Sequence, residues 1–398
     1  MSALQQRLEA PLIDDELHAV RRRALKALMQ YGFPDLKTEA WKYTSLRQLD
    51  KREAGQDPGL GDGSGSRPEL PFAAAGIELR AGVSLPDGVR LEPLDADELN
   101  DLKYGGREDA FAWLNLARVE QPWCLHIERD PGLPLVLAQS TAADFTGDRH
   151  SFLRIEVAEG VNVTLIDWQQ DAGAGLVNQV QTLELAPGSR LDHIVARSGA
   201  ESAIIQRTEA RVEAGADYRF TVLDQGGRLH RHDVMVNLLA EDARGEIDGV
   251  ALIDSHQHVD FHTTIEHAVG PSNSRETFRM LADGSGVGVF NGRIHIHRGA
   301  DDSHSDLNTA NLLLSDSARI NTKPELEIYA EEVTASHGAT IGQLEDDALF
   351  YLRSRGLSSS EAASLLKRGF AGEPLERIFD EQVRDWLLTV LNTKLTSK

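Results

Sequence analysis

The chain has 398 residues, 41% of them apolar, with 34 glycines, only 6% aromatic residues and a formal net charge of −22. So acidic a surface repels nucleic acid and anionic lipid and excludes both as main partners, and no apolar run is long enough to span a bilayer. The single cysteine, Cys124, excludes an internal disulfide and a thiolate cluster held by this chain alone.

The opening residues, MSALQQRLEA, lack the apolar segment of a signal peptide, so a cytoplasmic protein is expected. Residues 1–50 are expected to form a helical region. Leu17, Val20, Ala24, Leu25 and Leu28 recur at helical spacing in a helix over 3–30 that ends at Gly32 and Pro34. Arg21, Arg22 and Arg23 read as its solvated face. In the block Trp41-Lys42-Tyr43-Thr44, the two aromatic rings mark local packing. The stretch from Gly55 to Pro68 is rich in Gly, Asp, Ser and Pro and cannot bury a core, so 51–69 reads as a flexible linker. Residues 70–150 read as a mixed α/β region, with a short helix at 109–118 and a strand at 135–139.

A repeat governs 151–356. Segments of alternating apolar residues end in turns at Gly160, Gly188, Gly215 and Asp242, spaced 28, 27 and 27 residues apart, with looser echoes at Pro271 and Gly299. Short strands and turns at a fixed period, with no long helix between them, predict a β-solenoid in this span, with helices only outside it. Residues 357–398 then read as a helical domain. Ser358 and Glu361 have capping-box spacing, and Ala362, Leu365, Leu366 and Phe370 share one helix face. Pro374 suits the first turn of a second helix. The broad apolar face of this pair either packs on the solenoid or docks another protein.

Nine of the 14 histidines lie between 230 and 304, and three pairs have H-x-H spacing: His230/His232, His256/His258 and His295/His297. On a strand that spacing puts both rings on one face, where stacked coils either gather imidazoles around a metal or carry ordinary hydrogen bonds. Gly284-Ser285-Gly286-Val287-Gly288 lacks the glycine spacing and following helix of a dinucleotide loop and reads as a strand turn. There is no P-loop, and Cys124 reads as a buried small hydrophobe. His337, between Ser336 and Gly338, has little bulk around it and lies near the end of the repeat, where it either caps a turn or is presented to a partner. The neighbouring stretch Glu325-Leu-Glu-Ile-Tyr-Ala could accept a partner strand on an open edge.

The sequences NTKPELEIYA (321–330), SHGAT (336–340) and FYLRSRG (350–356), in this order and spacing, together with the WKYT block, closely resemble the SufB/SufD family of iron–sulfur cluster assembly proteins. The resemblance covers most of the chain. It implies a right-handed parallel β-helix flanked by helical regions, pairing end to end with a SufB-like homologous subunit. It also implies a SufC-like ABC ATPase on the C-terminal helices, for which Leu365, Leu366 and Phe370 are the candidates. A nascent cluster would form transiently at the interface, with His337 as this chain's ligand and nothing bound permanently. Thr309 and Gly338 stand where a SufB-like subunit has a cysteine and a glutamate, which places the chain on the SufD-like side. ATP chemistry would then belong to another subunit, and this chain would be a non-catalytic scaffold. A homodimer in the partner's absence and flavin binding stay open. Two other readings remain: a solenoid metalloenzyme using the H-x-H pairs, and a solenoid that binds proteins without supplying a ligand.

Overall fold

The computed structural model describes residues 2–51, 68–100, 102, 104–171 and 173–396, so nearly all of the expected linker at 51–69 lies outside it. The chain opens with two helices, α1 (Ala3–Glu9) and α2 (His18–Tyr31), rather than one over 3–30. Pro11 explains the break, because it pushes Ala10 out of helical conformation to ψ 141°. Arg21 is fully buried, not solvated. It ion-pairs with Asp15 at 2.7 Å and donates to the carbonyls of Val119 and Glu120.

Short strands β1 (Ala75–Ile77) and β2 (Val89–Pro93) precede helices α3 (Ala96–Asn100) and α4 (Ala110–Arg118). Fourteen further strands then wind a solenoid of two facing sheets. The first coil is β3 (Trp123–Ile127) and β4 (Leu135–Thr141), followed by β5 (Asp148–Val157) and β6 (Asn162–Asp171). Next come β7 (Leu176–Leu185), β8 (Arg190–Val212), β9 (Asp217–Leu238) and β10 (Arg244–Ile253). The last coils are β11 (His258–His267) with β12 (Asn273–Ala282), β13 (Val287–Ile296) with β14 (His304–Leu313), and β15 (Arg319–Ile328) with β16 (Thr334–Gly342). The long strands β8 and β9 cross from one sheet to the other.

The first sheet runs β1-β4-β6-β8-β9-β10-β12-β14-β16 and the second β2-β3-β5-β7-β8-β9-β11-β13-β15. Every pairing is parallel except β2 with β3. The protein is therefore mainly β, a β-solenoid with helices at both ends of the chain. Strands occupy 123–141 as well, ahead of the expected start at 151, and the last strand ends at Gly342, ahead of 356. The segment 346–354 is a helix, α5 (Asp346–Ser354), followed by α6 (Ser359–Gly372) and α7 (Glu381–Thr396). Pro374 opens a single 3-10 turn before α7 rather than a second long helix.

The repeat works because its turns require a left-handed residue. Gly160, Gly188, Gly215 and Asp242 have φ of 69°, 67°, 63° and 60°, a region costly for most side chains. Their amides bond onward to the next coil, as from Gly188 to Ala214 at 2.9 Å. Three apolar layers follow. Inward residues of both sheets form the solenoid core. Helices α2 and α4 cover the outer face of the second sheet's first coils. Helices α6 and α7 cover the outer face of the first sheet, with Leu375, Leu387 and Leu391 fully buried.

Candidate functional site at the open end of the solenoid

His337 lies in β16, paired with Leu307 of β14. In stacked parallel strands, residues in register point the same way. The register can be followed down the first sheet through Leu307, Glu276, Ile247, Phe220, His193, Leu165 and Leu135. All seven are buried inside the solenoid. His337 continues that inward column and is exposed only because no coil follows. The column's other polar members have partners: His193 contacts the Tyr218 hydroxyl at 3.1 Å, and Thr263 donates to Glu276. Burial pushes the Glu276 carboxyl up to about 8 and holds the His193 imidazole down to about 3, so both are neutral inside. Among the described residues the His337 imidazole has no hydrogen-bond partner. The core below it is also uncovered, with Leu326, Val333 and Ala335 only partly buried. Thr309, one coil below, is buried, and its hydroxyl is tied to Asn311, so it faces no ligand. Gly338 pairs with Asn308 and supplies no side chain.

β15 and β16 each pair on one side only. β15, the strand expected to accept a partner, carries Lys323, Pro324, Glu325 and Glu327, the residue types that blunt a free edge. Lys323 is also engaged, at 2.9 Å from Glu39. β16 reads TASHGATIG, with neither proline nor charge, and is the barer edge.

The three H-x-H pairs do not gather on one face. His256 sits in a turn at φ 66°, while His258 lies on β11 against the Thr44 hydroxyl at 2.9 Å. His230 and His232 are buried and share one carboxylate, Asp224, at 2.8 and 2.7 Å. Burial opposes ionisation of Asp224, but the two imidazoles outweigh it and hold the carboxyl well below the usual range. His295 and His297 share Glu266 at the surface, at 2.6 and 2.7 Å. Cys124 is buried, and desolvation pushes its thiol up to about 12, so it is neither thiolate nor nucleophile at neutral pH. The turn at 284–286 precedes strand β13, not a helix.

The N-terminal block clamps the second sheet. Trp41 lies under the Arg231 guanidinium at 4.0 Å, and the Thr44 hydroxyl donates to Asp260. On the C-terminal helices, Leu365 is 49% exposed, whereas Leu366 and Phe370 are half-buried. Phe370 packs on the first-sheet layer beside Arg279. Sequence reasoning missed α5, whose Phe350 is 72% exposed beside the exposed Tyr351. The signal was present in Asp346 and Asp347, which suit a helix's first turn. No helix among the described residues is long and apolar enough to cross a membrane.

Residues 141–370, more than half of the chain, match the family model described as SUF system FeS cluster assembly, SufBD core domain. The chain is 27% identical over 391 residues to the iron–sulfur cluster assembly protein SufD of Escherichia coli, covering 93% of this chain and 91% of that protein. It is 31% identical over 256 residues to the chloroplastic protein ABCI7 of Arabidopsis thaliana, covering 60% and 53% of the two chains. It is 36% identical over 204 residues to a SufBD family protein of Synechocystis, covering 50% and 45%. With its stacked coils and these matches, the chain belongs to the SufBD family of SUF-system iron–sulfur cluster assembly proteins and is SufD-like.

Proposed function

We propose that this chain is a scaffold subunit that joins a SufB-like homologous subunit through the open end of its solenoid and presents His337 to the iron–sulfur cluster assembled there. One observation carries the reading: His337 continues a buried inward column and is bare because the next coil is missing. A homologous coil stacked on β16 would complete the sheet and enclose the imidazole. One imidazole holds a cluster weakly, so the partner supplies the remaining ligands, as thiolate. The donor nitrogen must be unprotonated to bind iron. No step needs this chain to perform chemistry of its own; it positions a ligand and excludes water.

A SufC-like ATPase would dock on the C-terminal helices around Leu365, with Phe350 and Tyr351 of α5 widening the patch and Leu366 and Phe370 beneath it. An exposed apolar patch of this kind marks an interaction surface.

The test is His337→Ala, coexpressed with the homologous subunit and the ATPase. The variant should fold and assemble normally but fail to build clusters in reconstitution. Loss of assembly would make His337 structural, and clusters at the normal level would remove its ligand role.

A further inference from the structure

We propose that Glu266, His295 and His297 form a site for one divalent first-row transition-metal ion, such as zinc or ferrous iron, distinct from His337. The three side chains meet on the second sheet, whereas His337 belongs to the first. The coil register brings them together. Glu266 of β11 pairs with His295 of β13, which pairs with Glu327 of β15. His297 follows β13 directly, its amide anchored to the His267 carbonyl at 3.0 Å.

The donor geometry is that of a two-histidine, one-carboxylate set. Glu266 Oε2 lies 2.6 Å from His295 Nδ1 and 2.7 Å from His297 Nε2, and the three donor atoms all fall within 4.8 Å of one another. Donors around a tetrahedral ion with bonds of about 2.1 Å stand roughly 3.4 Å apart. Side-chain rotations of under about 1 Å would therefore open the cluster around an ion.

The surroundings carry a net negative charge, although Arg293 Nη2 also stands 3.2 Å from His295 Nδ1 and turns away when an ion enters. The other oxygen of Glu266, Oε1, accepts from Arg293 at 2.8 Å, which fixes the carboxylate and leaves Oε2 to the imidazoles. Glu327 grips the same guanidinium at 2.9 and 2.8 Å. Two carboxylates and one guanidinium leave a net negative charge beside two histidines. The His295 ring packs 4.0 Å from His297 and edge-on to Tyr329 at 5.4 Å, which limits its orientation.

The buried pair shows what distinguishes this one. His230 and His232 share Asp224 in the same way but are sealed from solvent, and His230 is held on its other nitrogen by Ser202 at 3.2 Å. The His297 side chain is 42% exposed, so an ion can enter and keep open coordination positions. Imidazole with carboxylate suits zinc, iron and their neighbours rather than calcium or magnesium.

Titration of the metal-free full-length chain with Co(II), followed by its visible absorption, and with Zn(II), followed by calorimetry, tests the site. The wild type should bind one ion per chain. His297→Ala and His295→Ala should each weaken binding by about tenfold or more, and Glu266→Gln should do the same. His337→Ala should leave it unchanged. His297 is half exposed, so its loss should not unfold the chain, and unchanged circular dichroism checks this. Binding that survives His297→Ala, binding lost only with His337→Ala, or no Co(II) uptake at about 100 μM would overturn the proposal. In the last case the cluster is a surface hydrogen-bond network only.

Discussion

At its first coil the solenoid is finished by elements that do not repeat. β2 runs antiparallel to β3, is five residues long and carries Arg90, Glu92 and Pro93. The inward residues beneath, such as Ile127 and Leu135, are fully buried. At its last coil, β16 offers nine residues of parallel strand with one side unpaired, and the core beneath it is only partly covered. Each coil of a solenoid buries its neighbour, so a terminal coil must be capped or must meet another chain. The same inward column is closed at one end by β1, where Ala75 pairs with Leu135, and stands open at His337 at the other. That difference, rather than any feature of the imidazole, is what the proposed interface role of His337 rests on.

Substitution at both ends of the column gives the sharpest contrast. Leu165→Ala, near the capped end, removes a fully buried side chain and should cost about 2–5 kcal/mol in denaturant unfolding. If it cost no more than a surface change, the inward register would be wrong.

The column also contains a pH signature. Glu276 is pushed up to about 8, chiefly by burial and secondarily by nearby Asp248, against hydrogen bonding from Thr263. Below about pH 4.5 the carboxyl is neutral both folded and unfolded. Between there and about 8 the unfolded chain releases the proton and the folded chain keeps it, so Glu276 should cost up to about 1.4 kcal/mol per pH unit. Glu276→Gln should therefore stabilise the protein increasingly from pH 5 to pH 8. An identical pH dependence of unfolding in both proteins would contradict this.

Smaller effects are expected at the exposed sites. Leu365→Glu should change stability by about 0.5 kcal/mol or less yet weaken ATPase capture in a pull-down. Undiminished capture would move the docking surface elsewhere. Cutting the chain after Gly356 is a poor alternative, because α6 and α7 bury the outer face of the first sheet. His337→Ala should cost the isolated chain about 0.5 kcal/mol or less; a loss like that of Leu165→Ala would mean the end is not open.

Much of the fold was legible in the sequence because left-handed turns restrict residue choice: Gly160, Gly188, Gly215 and Asp242 form one row. The row begins earlier, at Gly132, which is 28 residues before Gly160 and has φ 69°. That signal was readable, but β3 and β4 are short and joined through Asp130-Pro131-Gly132, which hides their alternation. Burial of Arg21 was not legible, since its partners Val119 and Glu120 lie about a hundred residues away. At the site, small neighbours identified His337 as accessible, but only the strand register shows that it points along the solenoid interior. The histidine pairs were visible by spacing, whereas their fates were not. What separates His230/His232 from His295/His297 is the strand face: the first pair shares the inward register of Val259 and Phe261, whereas His295 stands in the outward register of Glu266 and Glu327.

Hydrogen–deuterium exchange of the isolated chain, compared with the chain mixed with the proposed SufB-like partner, tests the central claim most directly. Edge amides of β16 should exchange quickly alone and become protected in the complex, while β2 and β3 stay unchanged. Protection at β2 and β3, with Thr334–Gly342 exchanging as freely as before, would contradict the open end as the partner surface.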